Sequence, residues 1–226
     1  MKFINQKVGI FFWRQVISCP LTFQKILQGL FFYFFKNPNL KRNIFSKKNI
    51  DVAFPNLNEK EKRNLFNKNT KSMVRGLFDT GKAWFWNDAK INSFLKYEIS
   101  GLDKLNSAKG NLLIFKHSHH LELDSRILGM HCELYGVERA HNSTYMQKVQ
   151  SAGRLRGLNA LADKNKPITF IKWLKRGKTV LYAIDQDYGL KNSINVDFFG
   201  VKTATTNAPI KIVDATQCNV LFLDSY

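Results

Sequence analysis

The sequence predicts an α/β fold: a central mixed sheet flanked by helices, behind a hydrophobic N-terminal helix. Three observations predict it. Short apolar runs read as buried strands at residues 112–115 (LLIF), 179–184 (TVLYAI) and 219–224 (NVLFLD). Segments with helical apolar spacing lie between them. Two of the strand-like runs end in polar residues, KHSHH and DQDYG. Alternating strand and helix patterns mark α/β proteins, and open α/β sheets place their sites at strand ends.

At 226 residues the chain suits one domain with an appendage, and we divide it into residues 1–48 and 49–226. Charged (23%) and hydrophobic (44%) fractions are those of a globular protein, which excludes long-range disorder. The net charge of +18 is the unusual feature. A field of that sign favours an anionic partner: nucleic acid, an acidic membrane surface or an acidic protein. No nucleic-acid module is recognisable and the charge is spread along the chain, so nucleic acid is not expected as a partner. Cys19, Cys132 and Cys218 are far apart with no Cys-x-x-Cys, which argues against a disulfide framework and a zinc ribbon.

Taken in order, residues 8–35 are aromatic and apolar, but Arg14, Gln15, Gln24, Lys25 and Gln28 interrupt them and Pro20 is expected to kink a helix there. The reading is an interfacial or membrane-dipping anchor, with a core helix as the alternative. Lys36, Lys41, Arg42, Lys47 and Lys48 follow, which puts the rest of the chain on the cytoplasmic side. Asn58 with Glu61 three residues on is a capping box, opening a helix that runs to about Trp86. Trp84, Phe85 and Trp86 are read as core packing. Residues 97–109 read as strand and turn, 133–137 as a strand, and 143–149, 167–175 and 205–214 as helices.

The central stretch is LLIFKHSHHLELDSRILG, a strand, three histidines, then a helix with Leu121, Leu123, Ile127 and Leu128 on one face. Two acid–base pairs share one spacing in it, His117 with Glu122 and His119 with Asp124. A histidine that takes a proton from an alcohol needs a carboxylate to orient the ring and stabilise the imidazolium. His117, His119, His120 and Glu122 within six residues also raise a metal-dependent hydrolase, although Leu121-Glu122 stands where that pattern wants Asp-His. A non-enzymatic basic protein is the third class.

These residues resemble the lipid A late acyltransferases, the lauroyl/myristoyl family of Gram-negative bacteria within the His-x-x-x-x-Asp/Glu glycerolipid acyltransferases. The landmarks, in order, are NIDVAFPNLNEKEKR, DTGKAWFW, the central stretch, GRLR at 153–156, YAIDQDYG at 182–189 and VDFFGVKTATT at 196–206. The resemblance implies that His117 and Glu122 are the catalytic pair, ahead of His119 and Asp124. It implies that Arg154 and Arg156 handle an anionic lipid. Asp185 and Asp187 would hold the site's shape or orient basic groups. It further implies secondary acylation in lipopolysaccharide or lipooligosaccharide biosynthesis: an acyl carrier protein thioester as donor, the 3-hydroxyl of an acyl chain on a lipid A precursor as acceptor, and no cofactor or metal. The setting would be the cytoplasmic face of the bacterial inner membrane. Family members usually continue past the equivalent of Leu223, so this chain is expected to be a C-terminally short member. An inactive membrane-bound remnant is the alternative.

Overall fold

The computed structural model describes residues 2–105, 108–186, 189–190 and 192–225. Four helices come first: α1 (Lys2–Ser18), α2 (Leu21–Phe35), α3 (Lys41–Ala53) and α4 (Glu59–Phe85), followed by the short α5 (Asp88–Phe94). The rest alternates: β1 (Asn111–Phe115), α6 (Leu121–Leu128), β2 (Leu134–Glu138), α7 (Thr144–Arg154), β3 (Ala160–Asp163), α8 (Pro167–Lys175) and β4 (Thr179–Ala183). A ribbon of β5 (Ser193–Phe198) and β6 (Val201–Thr206), then α9 (Ala208–Thr216) and β7 (Asn219–Leu223), complete it.

Five strands form one sheet in the order β3-β2-β4-β1-β7, and every pairing in it is parallel. The expected mixed sheet is therefore corrected to a parallel one. Each strand of this sheet is reached through at least one helix, which is the crossover a parallel neighbour requires. The antiparallel pair β5–β6 stands apart as a two-stranded ribbon.

Side-chain alternation on β1 sorts the two faces. Leu112 packs with Val180, Phe170, Leu174 and Ile212, so α8 and α9 cover one side. Leu113 and Phe115 pack with Leu128, Leu134, Leu158 and Leu181, which puts α6 on the other. Outside α6 lies α4, long because its N-terminus is closed on both sides: Asn58 accepts from the Lys60 and Glu61 N–H groups, and Glu61 accepts from the Asn58 N–H.

The N-terminus is two helices, not one. Pro20 lacks the N–H that would continue α1, and Gln24 bridges the break by donating to the carbonyls of Ile17 and Cys19. Among the described residues no helix is long and apolar enough to cross a membrane. One face of α1 belongs to the core. Ile17 is fully buried with Val74, Phe78 and Trp86, its carbonyl accepts from Trp86 Nε1 at 3.0 Å, and Trp13 stacks edge-on against Trp84 and Phe85. The outer faces leave Phe11 and Phe12 of α1 and Phe23, Ile26, Leu30 and Phe34 of α2 exposed.

Three local expectations differ. Residues 97–109 form no strand among those described; they hold a short 3₁₀ turn (Leu102–Leu105) whose apolar side chains pack under the sheet. The helix expected from residue 205 starts at Ala208, because β6 runs on to Thr206 and Pro209 is favoured in a first helical turn. The strands β3, β5 and β6 carry no sequence signal; ALAD is too short, and SINVDF too polar, to show a period.

Gly129, which closes α6, meets the backbone of Gly157: a Cβ there would lie 1.7 Å from the Gly157 carbonyl oxygen. Its φ of −67° is open to any residue, so the cost of a side chain is steric. Gly129→Ala is expected to lose about 2 kcal/mol of stability, measured by urea unfolding, because backbone on both sides resists the insertion.

Candidate active site

The site sits where β1 and β4 end side by side. Phe115 pairs with Ala183, so residues two further along each strand, His117 and Asp185, emerge next to one another. After β1 the chain passes to the α6 face, and after β4 it passes through the ribbon to α9 on the opposite face. Connections that diverge in this way open a crevice at the strand ends.

Asp185 holds His117 at two points. Its Oδ2 accepts from the His117 backbone N–H at 2.7 Å, and its Oδ1 lies 2.6 Å from the ring Nδ1. Burial alone would raise the Asp185 carboxyl, but the hydrogen bonds from the His117 ring and backbone outweigh it and hold it below the usual carboxylate range. An ionised carboxylate only accepts, so Nδ1 carries the proton and Nε2 is left as the acceptor of the neutral ring. Nε2 faces the cleft, 3.3 Å from the Gln186 amide nitrogen. The cleft has a volume of about 610 Å³ and an apolar wall of Phe115, Leu121, Val137, Leu158, Leu161 and Leu181. A histidine so oriented can remove a proton from a hydroxyl and return it to a leaving group.

Glu122 lines the same cleft but is bound elsewhere. Its carboxylate accepts from Arg154 (Nε 3.0 Å, Nη2 2.5 Å) and from Trp84 Nε1 (2.9 Å). Arg154 also donates through Nη1 to Glu138 at 2.9 Å, and Glu138 in turn takes Gln147 and Ser151. Thus α4, α6, α7 and β2 are tied together by one guanidinium between two carboxylates. The orienting contact from Glu122 to His117 suggested by their spacing is replaced by Asp185: α6 turns Glu122 toward α7, whereas strand register brings Asp185 to the ring.

The other candidates separate as well. His119 Nε2 reaches Asn69 Oδ1 at 3.2 Å, while Asp124 takes Ser225 Oγ at 2.7 Å, so the His119–Asp124 pairing is not formed. His120 turns to Asp79 at 2.8 Å. The three rings point at three different partners, and among the described residues no group of three potential ligands converges as a metal site would require. Arg154 is engaged by the two glutamates, whereas Arg156, exposed, donates through Nε to the Trp86 carbonyl at 3.2 Å. Asp187 lies outside the described residues.

Trp84, Glu138 and Asp79 escaped the reading of the sequence as site residues. The DTGKAWFW segment carried a signal for Trp84 and Asp79: an indole that is buried seeks an acceptor, and an acid within an apolar helix face seeks a partner.

Removing the guanidinium leaves two mostly buried carboxylates facing each other. Arg154→Leu is expected to cost about 3 kcal/mol in chemical denaturation, and Trp84→Phe about 1 kcal/mol. Asp124 gives a pH prediction. Burial raises its carboxyl, against smaller opposing effects of the Ser225 and Ser118 hydroxyls and His120. The folded state then holds this proton more tightly than the unfolded chain, so its ionisation removes stability as pH rises from about 4 through the raised value. Asp124→Asn is therefore expected to raise the Tm at pH 8, with the gain shrinking toward pH 4, in thermal unfolding at the two pH values.

The bacterial lipid A biosynthesis acyltransferase family matches residues 2–223 of the chain. The chain is similar to a lipid A biosynthesis acyltransferase of Haemophilus influenzae, 30% identical over 213 residues that make up 93% of this chain and 68% of that protein. It is 34% identical to the lipid A biosynthesis palmitoleoyltransferase of Escherichia coli, over 74% of this chain and 56% of that one. It is 36% identical to the lipid A biosynthesis lauroyltransferase of the same organism, over 70% and 53%. Against these two E. coli relatives the chain spans a little over half their length. With a match across nearly all of its residues, the chain belongs to the bacterial lipid A biosynthesis acyltransferase family.

Proposed function

We propose that the protein transfers a fatty acyl chain from an acyl carrier protein thioester to the 3-hydroxyl of an acyl chain on a lipid A precursor, with His117 as general base. The observation that carries this reading is the His117 ring, fixed by Asp185 through Nδ1 and lining a cleft with both apolar residues (Phe115, Leu121, Leu181) and charged ones (Glu122, Arg154, Lys164). The acceptor hydroxyl gives its proton to Nε2 as its oxygen attacks the thioester carbonyl carbon. The tetrahedral intermediate collapses with cleavage of the C–S bond, and the thiolate takes the proton back from the imidazolium. The ester forms without an acyl-enzyme or a redox step. Asp185 keeps the ring in the competent tautomer and stabilises its cation. Glu122, bound to Arg154 and Trp84, shapes the cleft wall beside the attack site.

Under this reading the protein works at the cytoplasmic face of the bacterial inner membrane. The exposed apolar face of α1 and α2 would lie in the interface, and the cations Lys36, Lys41, Arg42, Lys47 and Lys48, all exposed, would meet acidic headgroups. The net charge of +18 suits an acidic carrier protein and a phosphorylated acceptor as well.

Acyl transfer in detergent, with mixed carrier-protein thioesters and a tetra-acylated precursor, tests the chemistry. His117→Ala is expected to lower kcat by about 10²–10⁴, and Asp185→Asn to lower it less, while His119→Ala keeps most activity. Transfer that survives His117→Ala overturns the assignment. Sedimentation with phosphatidylglycerol vesicles tests the surface: wild type is expected to pellet, and a Phe12→Ser, Ile26→Ser, Leu30→Ser variant to stay in solution.

A further inference from the structure

One face of α4 is built against the turn that carries His117. Asn69, Ser72, Gly76 and Asp79 recur at intervals of three, four and three, a single stripe along a helix. Each meets His119 or His120. Asn69 Oδ1 lies 3.2 Å from His119 Nε2, and Ser72 Oγ lies 3.2 Å from His120 Nε2. A Cβ on Gly76 would stand 2.3 Å from the His119 carbonyl oxygen, so glycine is what lets the turn come this close. Asp79 Oδ2 lies 2.8 Å from His120 Nδ1.

Asp79 is itself held. It is 3% exposed, and its other oxygen takes the Lys82 ammonium at 2.7 Å. Burial would raise its carboxyl, but the bonds from His120 and Lys82 outweigh this and keep it ionised. His120 is also the residue from which α6 starts. Its carbonyl accepts the Leu123 and Asp124 N–H groups at 2.9 and 3.0 Å, and its own N–H donates to Ser118 Oγ at 3.1 Å. The ring is thus anchored on α4 while the backbone of the same residue sets the origin of α6, with His117 three residues before it and Glu122 two residues after.

We propose that His120, locked by Asp79 and Ser72 of α4, is a positioning residue for the reaction: it fixes the turn between β1 and α6 and so the place of His117 against the opposite wall of the cleft. This rests on acyl transfer at His117. The requirement follows from geometry. The turn of residues 116–120, free of α4, has many conformations open to it, each ordered residue costing about 1–2 kcal/mol of entropy. A base misplaced by about 1 Å can lose about a hundredfold in rate.

The test separates positioning from bulk stability. In His120→Asn the side-chain amide can still donate to Asp79 where Nδ1 did; in His120→Ala nothing does. The Asp79–Lys82 pair remains in both, so both should fold. His120→Ala is expected to lower kcat by about ten- to a hundredfold with KM for donor and acceptor nearly unchanged, and His120→Asn to recover most of the loss. Amide hydrogen exchange at residues 121–124 should accelerate in His120→Ala and return toward wild type in His120→Asn. Wild-type kcat in His120→Ala, no recovery in His120→Asn, or unchanged exchange overturns the proposal. If wild type itself transfers no acyl group, it is the acyl-transfer reading that fails, and exchange at residues 121–124 still decides whether His120 fixes the turn.

Discussion

The parallel pairing of β1 with β4 is the constraint on which the site depends. Its register sets Phe115 opposite Ala183, and two residues later it delivers a histidine and a carboxylate to one point. Because the two chains then leave toward opposite faces of the sheet, their ends enclose a crevice rather than a flat rim. Everything that keeps this register keeps the site. Buried Asn111 contributes at the base of both strands, donating to the Leu105 carbonyl and Thr179 Oγ1 while its own oxygen takes Asn219 of β7. Three strands are thereby pinned in line below the histidine.

A second layer of order surrounds the first. The Glu122–Arg154–Glu138 arrangement is a bidentate guanidinium between two carboxylates, closed further by the Trp84 indole. Such a group costs much to desolvate, and it is held together only because nearly every polar atom finds a partner. Its value to the molecule is geometric: it joins helices that share no strand and gives the cleft a rigid polar side facing the apolar wall. Gly153 allows α7 this close, since a Cβ there would lie 2.3 Å from the Trp84 ring.

The helical half of the chain completes the frame. α4 touches α1 through Gly81 and Ile17, α7 through Trp84, and the histidine turn through Gly76. It is a single rod, 27 residues long, whose faces serve the N-terminal helices, the cleft wall and the histidine turn at once. The N-terminal segment is thus core on one side. The helix pair buries Ile17 and Gln24 inward and exposes phenylalanines outward, two faces that a uniform apolar run would not give.

The sequence by itself determined the α/β class, the capped helix at Asn58, the strands at 112–115 and 179–184, and the helix at 121–128 with its histidines at the strand end. These are local matters: period, capping and strand-end polarity are written within a dozen residues. Only the tertiary structure decided the partners. The spacing of His117 and Glu122 is one turn of chain, and it suggested a pair, yet the carboxylate at the ring is Asp185, 68 residues away. Likewise Arg154, which the resemblance pairs with Arg156 in handling an anionic lipid, is folded by α7 onto Glu122 and Glu138. The parallel rather than mixed sheet was decided in the same way. Which strands become neighbours, and in which register, depends on how crossover helices pack on the two faces, and that is a property of the assembled core rather than of any one segment.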